Sequence, residues 1–139
     1  MSKLRLVLDT NVLISSVLID SSVPQRVFDY ALAEAIVLLS ESTQAELGRI
    51  LTKEKFNRYL SLEKRLQFMA ALTLRAELVT INESIEICRD RKDNQFLELA
   101  ACGQAAYLIT GDRDLLILNP FRQTVVITPV QFLEQVISK

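Results

Sequence analysis

The clearest structural signal in the chain is LRLVLDTN, residues 4–11. The first five of these residues are mostly apolar, have the length of a β-strand, and are followed at once by Asp9. Apolar runs without regular polar alternation are typical of strands that are buried on both faces of a sheet. Residues 4–8 are therefore predicted to form a buried strand that carries Asp9 at its carboxyl end.

Four similar runs follow, at residues 36–39, 78–81, 107–110 and 124–127. The segments between them carry apolar residues at helical spacing. Two capping boxes mark helix starts: Thr128 with Gln131, where Pro129 takes the first helical position, and Thr43 with Glu46. Strands that alternate with helices form parallel sheets covered on both faces. We therefore expect an α/β fold, a three-layer α/β/α sandwich with a parallel five-stranded sheet.

The composition excludes several classes of enzyme. The chain has 139 residues, of which 50% are hydrophobic, and it lacks linkers and repeats, so we expect a single domain over residues 1–139. It contains no histidine, which excludes Ser-His-Asp and Cys-His hydrolases and the HExxH metalloproteases. Its three glycines cannot form a glycine-rich phosphate loop of either common type. Catalysis would therefore depend on carboxylates, hydroxyls, amines or metal ions.

The two cysteines and the N-terminal segment indicate the compartment. Cys88 and Cys102 do not form a CxxC pair, and we expect both to be reduced structural thiols. The apolar N-terminal segment is interrupted by Asp9 and Asn11, so it does not resemble a signal peptide. No uncharged run has the length of a membrane span. We therefore expect a cytoplasmic protein that does not enter membranes.

Four acidic residues follow or precede the predicted strands. Asp9 ends the first strand and Asp112 follows the fourth. Glu46 is expected in the first turn of the helix after the second strand, and Asp93 at the start of the helix that leads into strand four. Each has a simpler explanation, as a turn residue, a helix cap or the capping-box partner of Thr43. If their loops share the carboxyl edge of the sheet, all four converge on one site.

Clustered carboxylates need a cation. Two unit charges about 4 Å apart repel by roughly 4 kcal/mol at an effective dielectric constant of about 20. A divalent ion removes this repulsion, and a set of oxygen ligands without His or Cys suits Mg²⁺ or Mn²⁺. Residues 90–93 lack the ligand spacing and glycine of an EF-hand calcium loop. The acids therefore predict a magnesium or manganese site.

These residues resemble the PIN domain family of metal-dependent nucleases. The similar segments are LVLDTNVL at residues 6–13, Ser42 followed by Glu46 and Leu47, DNQFLE at residues 93–98, and TGDRDLL at residues 110–116. Within the family the chain is most similar to the VapC-like toxins of toxin–antitoxin pairs. The resemblance implies strand order 3-2-1-4-5, a Mg²⁺- or Mn²⁺-dependent endoribonuclease, a homodimer, and inhibition by a small antitoxin protein.

The resemblance also implies roles for individual residues. The catalytic acids of the family fall on Asp9, Glu46, Asp93 and Asp112. Our mechanistic hypothesis is that Asp9, Asp93 and Asp112 ligate the metal directly, and that Glu46 holds a metal-bound water or a second ion and orients the nucleophile. Asp114 either contacts a second metal ion or only caps the short helix that follows. The polar helper positions of the family fall on Thr10 or Asn11 and on Thr110, and hydrogen bonds from Asn11 and Thr110 would fix the carboxylates.

The charge is unevenly distributed although the net charge is only -1. Residues 49–65 carry six basic residues against two acidic ones, with Phe56 and Tyr59 between them, and residues 89–92 add three more basic residues. One interpretation is a groove that follows the phosphates of single-stranded RNA, with stacking of bases. The other is a solvated helix face with Phe56 and Tyr59 turned inward. The candidate RNA contacts are Arg49, Lys53, Lys55, Arg58, Arg91 and Lys92.

Other functions are compatible with parts of the pattern. A catalytically inactive PIN-type module could act by binding RNA or a protein partner. A phosphatase could use Asp112 and Asp114 as a D-x-D pair, but such enzymes carry the pair after the first strand, whereas here it follows the fourth. A phosphate-accepting receiver domain would need a lysine after the fifth strand, and residues 124–127 contain none.

Overall fold

A computed structural model describes residues 2–139, and Met1, the first residue of the predicted domain, lies outside this range. The strands form one five-stranded parallel sheet with the order β3-β2-β1-β4-β5. Their bounds are β1 Arg5–Leu8, β2 Ile36–Leu39, β3 Glu77–Leu78, β4 Tyr107–Ile109 and β5 Val125–Ile127. The predicted three-layer α/β/α architecture and the strand order implied by the resemblance are both confirmed.

Helices cover both faces of the sheet. They are α1 Thr10–Leu18, α2 Val23–Glu34, α3 Glu41–Leu51, α4 Leu62–Arg75, α5 Asn94–Cys102, α6 Arg113–Leu116 and α7 Pro129–Phe132. Short 3-10 turns span Glu54–Phe56 and Arg91–Asp93, and a π-helical turn, Leu133–Ile137, follows α7. Within residues 2–139, none of these helices has the length and apolar character needed to cross a membrane.

The alternation of side chains along β1 builds two separate cores. Leu6 and Leu8 pack with α1, α2, α3 and Phe132 on one face, whereas Val7 packs with α5 on the other. The partner strand β4 alternates in the same way, because its Leu108 pairs with Val7 in register and lies in the same core. Both faces of the central strands are thus buried, which explains why their sequences lack polar alternation.

Two elements differ from the sequence-based prediction. The third strand was predicted over residues 78–81, but β3 contains only Glu77–Leu78 and both residues are exposed. Val79 and Ile81 lie beyond the strand and pack on the core, and the backbone N–H of Val79 still donates to the carbonyl of Leu39 in β2 at 2.7 Å. Helix α1 was not predicted at all. It begins directly after β1 with Asp9 as its N-cap.

The start of α3 also corrects a prediction. Thr128 and Gln131 form the predicted capping box at α7. At α3, however, Ser40 is the N-cap and Thr43 is its capping-box partner, so the predicted box of Thr43 with Glu46 is wrong. The helix starts earlier than expected because its N-cap, Ser40, directly follows Leu39, the last residue of β2. Glu46 therefore lies in the second turn of α3 and not in the first.

Candidate active site

The four predicted catalytic acids line one cavity at the carboxyl end of the sheet. The cavity has a volume of about 240 Å³. Its lining residues are Asp9, Thr10, Asn11, Glu46, Arg49, Ile50, Lys53, Asp90, Lys92, Asp93, Phe96 and Asp112. Asp9 follows β1 and Asp112 follows β4, and these strands are neighbours in the sheet. The structure thus brings together four acids from separate parts of the chain.

Asp9 is the most buried of these acids, with 5% of its surface exposed. One carboxylate oxygen accepts a hydrogen bond from the backbone N–H of Val12 at 2.8 Å, and the other accepts one from the hydroxyl of Thr110. Burial raises the pKa of Asp9, and the negative charges of Asp112 and Glu46 raise it further, whereas the two hydrogen bonds oppose the increase. Asp9 is therefore held in place beside other negative charges.

Thr110 connects Asp9 to Asp112. Its side chain is completely buried, and its hydroxyl oxygen accepts a hydrogen bond from the backbone N–H of Asp112 at 3.0 Å. The Asp112 carboxylate in turn accepts a hydrogen bond from the backbone N–H of Asp114 at 2.9 Å and caps α6. The predicted helper position Thr110 thus lies between the first and last acids of the site.

Glu46 is held through both carboxylate oxygens. Thr10 donates its hydroxyl to Oε1 at 2.6 Å, and Gln95 donates its side-chain amide to Oε2 at 2.9 Å. Gln95 is itself oriented by the hydroxyl of Ser42, which donates to its Oε1 at 2.7 Å. Of the two helper positions on α1, Thr10 makes this contact, whereas Asn11 is exposed at the cavity wall.

Gln95 and Ser42 were not among the predicted site residues. Ser42 precedes Glu46 by four residues, so the two side chains lie on the same face of α3. Gln95 lies in the first turn of α5, two residues after Asp93. Both residues also lie in the segments that resemble the family, which is the signal in the sequence that could have found them.

Asp93 and Asp112 interact directly. Partial burial, a hydrogen bond to the Asp112 carboxyl group and repulsion from Asp112 raise the pKa of Asp93 to about 7, with smaller contributions from Asp90 and Asp9. Because a neighbouring carboxylate disfavours the ionised form, Asp93 keeps its proton to a higher pH than a free aspartate does. Asp93 is therefore partly protonated near neutral pH.

Asp114 lies outside the lining of the acid cavity. It is partly buried in the first turn of α6, whose cap is Asp112 and not Asp114. Burial, with the negative charges of Asp93, Asp112, Asp114 and Asp90, raises the pKa of the nearby Cys88 thiol to about 11. Both cysteines are free thiols, as the sequence predicts.

The donor set fits a hard divalent cation in its chemistry, because it consists of carboxylates under mutual repulsion. The arrangement is not a ready-made cage: among residues 2–139, no group of three or more His, Cys, Asp or Glu side chains is placed so that it could hold a metal ion. Instead, the oxygens of Asp9 and Glu46 accept hydrogen bonds from neutral donors.

The predicted RNA contacts do not all lie at the cavity. Arg49, Lys53 and Lys92 line it, and Arg91 lines a neighbouring groove. Lys55 and Arg58 instead lie over the rings of Phe56 and Tyr59, at 5.1 and 5.3 Å from the ring centroids.

The aromatic residues of this segment behave differently from each other. Phe56 packs against the core, whereas Tyr59 is 62% exposed. The last basic residue of the segment, Arg65, is completely buried and donates to backbone carbonyls, so it does not belong to a phosphate-binding surface. The basic segment thus contains both exposed cations and a buried arginine, Arg65, that binds backbone carbonyls.

Comparisons with known proteins agree with this fold. The family model described as a PIN domain matches residues 5–114. An uncharacterized protein of Methanocaldococcus jannaschii, MJ1680, is 32% identical over 143 residues, covering 96% of this chain and 92% of that protein.

Two solved structures share the fold at low sequence identity. VapBC2 from Rickettsia felis, bound to a DNA fragment from their promoter, has a TM-score of 0.61 and 11% identity, covering 90% of this chain and 98% of that one. PAE2754 from Pyrobaculum aerophilum has a TM-score of 0.65 and 15% identity, covering 98% of this chain and 91% of that one. Because the PIN domain model matches residues 5–114, most of the chain, we conclude that the chain belongs to the PIN domain family.

Proposed function

We propose that the protein is a metal-dependent endoribonuclease that hydrolyses phosphodiester bonds of RNA. The observation that carries this proposal is the cavity shared by Asp9, Glu46, Asp93 and Asp112, which come from four separate elements. A fold alone does not define an activity, but a convergent set of acids at the carboxyl end of a parallel sheet is a site with defined chemistry. The proposal covers residues 1–139 as one PIN domain.

Asp9, Asp93 and Asp112 would hold Mg²⁺ or Mn²⁺, and Asp114 is a candidate contact to a second ion. When bound, such an ion lowers the pKa of water so that hydrolysis can proceed at neutral pH without a histidine base. Metal binding would require Asp93 to lose its proton, because carboxylates bind metal in the ionised form.

The remaining residues of the site orient the reaction. Thr110 fixes the Asp9 carboxylate, and Thr10 with Gln95 fixes both oxygens of Glu46. Glu46 then presents its remaining lone pairs to the attacking water in a fixed direction. As the family resemblance implies, in-line attack leaves a 5′-phosphate and a 3′-hydroxyl on the products.

RNA would be held near the acids by cationic side chains. Arg49, Lys53 and Lys92 lie at the cavity, where they can neutralise the phosphate that enters it. Lys55, Arg58 and Arg91 are candidate contacts farther along the strand. The exposed ring of Tyr59 beside Arg58 offers one surface for base stacking.

We further propose that the enzyme is the toxin of a toxin–antitoxin pair. The fold shared with the Rickettsia felis VapBC2 structure supports this role, as does the resemblance of the four motifs. A small antitoxin protein would inhibit it, and two copies would form a homodimer. An enzyme that acts on cellular RNA works in the cytoplasm, which we propose as its compartment.

A catalytically inactive PIN-type module that binds RNA or a protein partner is the second candidate. It is favoured by one observation: no group of three metal-ligating side chains is already arranged for coordination within residues 2–139. The two candidates differ in a simple way, because only the nuclease needs a divalent metal and an intact Asp9.

The test is incubation of purified protein with structured and single-stranded RNA and DNA in Mg²⁺, in Mn²⁺ and in EDTA, together with the Asp9→Asn variant. We expect wild type to cleave RNA with either metal and to be inactive in EDTA. Asp9→Asn should be inactive in all conditions while its circular dichroism spectrum is unchanged. RNA binding without cleavage by wild type would favour the inactive module, and full activity of Asp9→Asn in Mg²⁺ would exclude the assigned site.

A further inference from the structure

Helix α4 carries an exposed apolar stripe on its outer side. Its members recur at intervals of four residues, so they lie along one side of the helix, and they are Leu62, Leu66, Ala70 and Leu74. All four are exposed, Leu66 to 49% and Leu74 to 86%. Contiguous exposed apolar residues are typical of surfaces that bind another molecule, whereas single ones occur on any protein.

The opposite side of α4 already attaches the helix to the domain. Arg65 and Leu72 are completely buried there, and the ring of Phe68 lies 4.8 Å from that of Phe28, measured between centroids. The outer stripe is therefore not needed to hold α4 in place. Its apolar character requires a separate explanation.

The centre of α4 also lacks charge. Residues 66–74, LQFMAALTL, contain no charged residue, although the solvent side of a surface helix is normally charged or polar. This segment and one residue of α3 form a shallow groove of about 590 Å³, which is lined by Gln44, Leu66, Met69, Ala70, Thr73 and Leu74. An uncharged groove of this kind favours an apolar protein surface over a nucleic acid.

The stripe is complementary to a second copy of itself. Ala70 lies at its centre, with Leu66 four residues before it and Leu74 four residues after it. In a two-fold interface, a residue of one copy contacts a different residue of the other copy, and the same contact occurs twice. An antiparallel copy centred on Ala70 places Leu66 of each helix against Leu74 of the other. The small side chain of Ala70 allows the two helices to approach closely where they cross.

The charges at the ends of α4 favour the antiparallel direction. Glu63 lies seven residues before Ala70 and Arg75 five residues after it, so an antiparallel copy brings Glu63 near the Arg75 of the other helix. A parallel copy would bring like charges together. Neither residue takes part in the two ion pairs found across residues 2–139, and the other acid near Arg75, Glu77, is already paired with Arg5. Antiparallel helices also place opposite ends of their dipoles side by side.

We propose that two copies of this chain associate through α4, antiparallel about Ala70. This inference rests on the homodimer included in the proposed function and adds the surface that forms it. The groove beside α4 shares no lining residue with the acid cavity, so each copy keeps a separate and complete set of acids. Association through α4 should therefore leave RNA cleavage per chain unchanged.

The test is sedimentation velocity of the full chain from about 1 µM to about 500 µM, a range that covers weak and moderate dimers. We expect wild type to form a dimer within this range. The double variant Leu66→Gln/Leu74→Gln should weaken self-association by about 100-fold or more, because each dimer loses four buried leucines. The matched control is Ile117→Gln/Val130→Gln, which removes two exposed apolar residues outside α4 and should dimerise like wild type.

A charge exchange tests the direction of the two helices. The single variants Glu63→Arg and Arg75→Glu should each weaken the dimer by about 5-fold, since each places like charges close together at the exposed ends. The double variant Glu63→Arg/Arg75→Glu should restore the wild-type affinity, because the pair is then reversed but still opposite in sign. A double variant as weak as the single ones would overturn the antiparallel arrangement.

The outcomes separate this surface from the rest of the proposed function. A wild type that stays monomeric over the whole range would overturn both the surface and the homodimer. If wild type and both glutamine variants form the same dimer, the homodimer stands and α4 is not its surface. An equal loss in both glutamine variants would reduce the effect to general apolar association and would also overturn α4. Melting curves and RNA cleavage by each variant show that the domain and its acid site are intact.

Discussion

The Asp9 carboxylate caps α1 through one oxygen and contacts Thr110 through the other. Asp112 likewise caps α6 while it faces Asp93. The capping role and the site role are therefore compatible for these two residues, because a carboxylate has more than one acceptor position. The N-terminal ends of α1 and α6 fix the direction of Asp9 and Asp112, so the backbone itself orients these two acids.

Gln95 allows a direct test of how Glu46 is oriented. We predict that Gln95→Leu lowers the kcat of RNA cleavage by about 10-fold, since supporting hydrogen bonds to site carboxylates are typically worth this much. KM for RNA should change little, because Gln95 contacts Glu46 and Ser42 and carries no charge. Steady-state kinetics separates the two parameters, and the exposed Gln67→Leu on α4 is the control. Unchanged kcat in a folded Gln95→Leu protein would contradict the orienting role.

A site residue can be predicted from the sequence when the pattern that marks it lies in neighbouring residues. The four acids could be predicted because each follows or precedes a recognisable element. The bond from Gln95 to Glu46 could not, since it joins residues 49 positions apart and depends on how α5 packs against α3. The burial of Arg65 could not be predicted for a related reason: it was counted in the basic segment without being a candidate RNA contact, and only the tertiary structure shows that it is buried.

At the scale of elements, Arg65 organises the connection between α3 and α4. Its guanidinium donates to the backbone carbonyls of Leu51, Lys53 and Leu60, at 2.7, 3.1 and 3.0 Å, and to the side chain of Asn57. The acceptors are neutral, and they satisfy the donors of a completely buried cation. One side chain thus fixes the backbone that carries Lys53 to the cavity.

We predict that Arg65→Met destabilises the protein by about 3 kcal/mol or more. Buried carbonyls that lose their donors cost roughly 1–3 kcal/mol each, and methionine offers none in return. Urea denaturation measures the change, with the exposed neighbour Lys64→Met as the control. A loss of stability below about 1 kcal/mol for Arg65→Met would mean that water or the backbone replaces these bonds easily.

The elements that the sequence missed also have physical explanations. In α1 the buried residues include Thr10, Val12, Leu13, Ile14 and Ser16, so the apolar residues do not form one stripe at helical spacing. At β3 the apolar run continues beyond the strand because two of its side chains pack on the core from irregular backbone. The central strands, which are buried on both faces, were predicted nearly at their observed bounds.

At the scale of the whole molecule, stability is coupled to the protons of the site. The pKa of Asp93 rises from 3.8 to about 7 on folding, so the metal-free folded state binds more protons than the unfolded state between these values. The free energy of unfolding should therefore fall as pH rises from about 4 to about 7. The buried Asp9, whose pKa is also raised, acts in the same direction.

Urea titrations in EDTA across this pH range test the coupling. Asp93→Asn removes the titrating group, and we predict a flatter dependence of stability on pH for this variant than for wild type. Comparison of the two proteins cancels contributions from distant acids such as Glu77 and Glu83, whose pKa values are lowered by their arginine partners. Parallel curves for the two proteins would contradict the assigned pKa.

Metal-linked stability tests the central claim most directly, because it requires no knowledge of the RNA target. The melting temperature is measured at pH 7.5 against increasing Mn²⁺ or Mg²⁺, for wild type and for Asp9→Asn. A ligand that binds only the folded state stabilises it increasingly with concentration. We predict a progressive rise for wild type and none for Asp9→Asn, whose metal-free melting temperature equals or slightly exceeds that of wild type. No rise for wild type up to about 10 mM metal, or the same rise for both proteins, would contradict a metal site built on these acids.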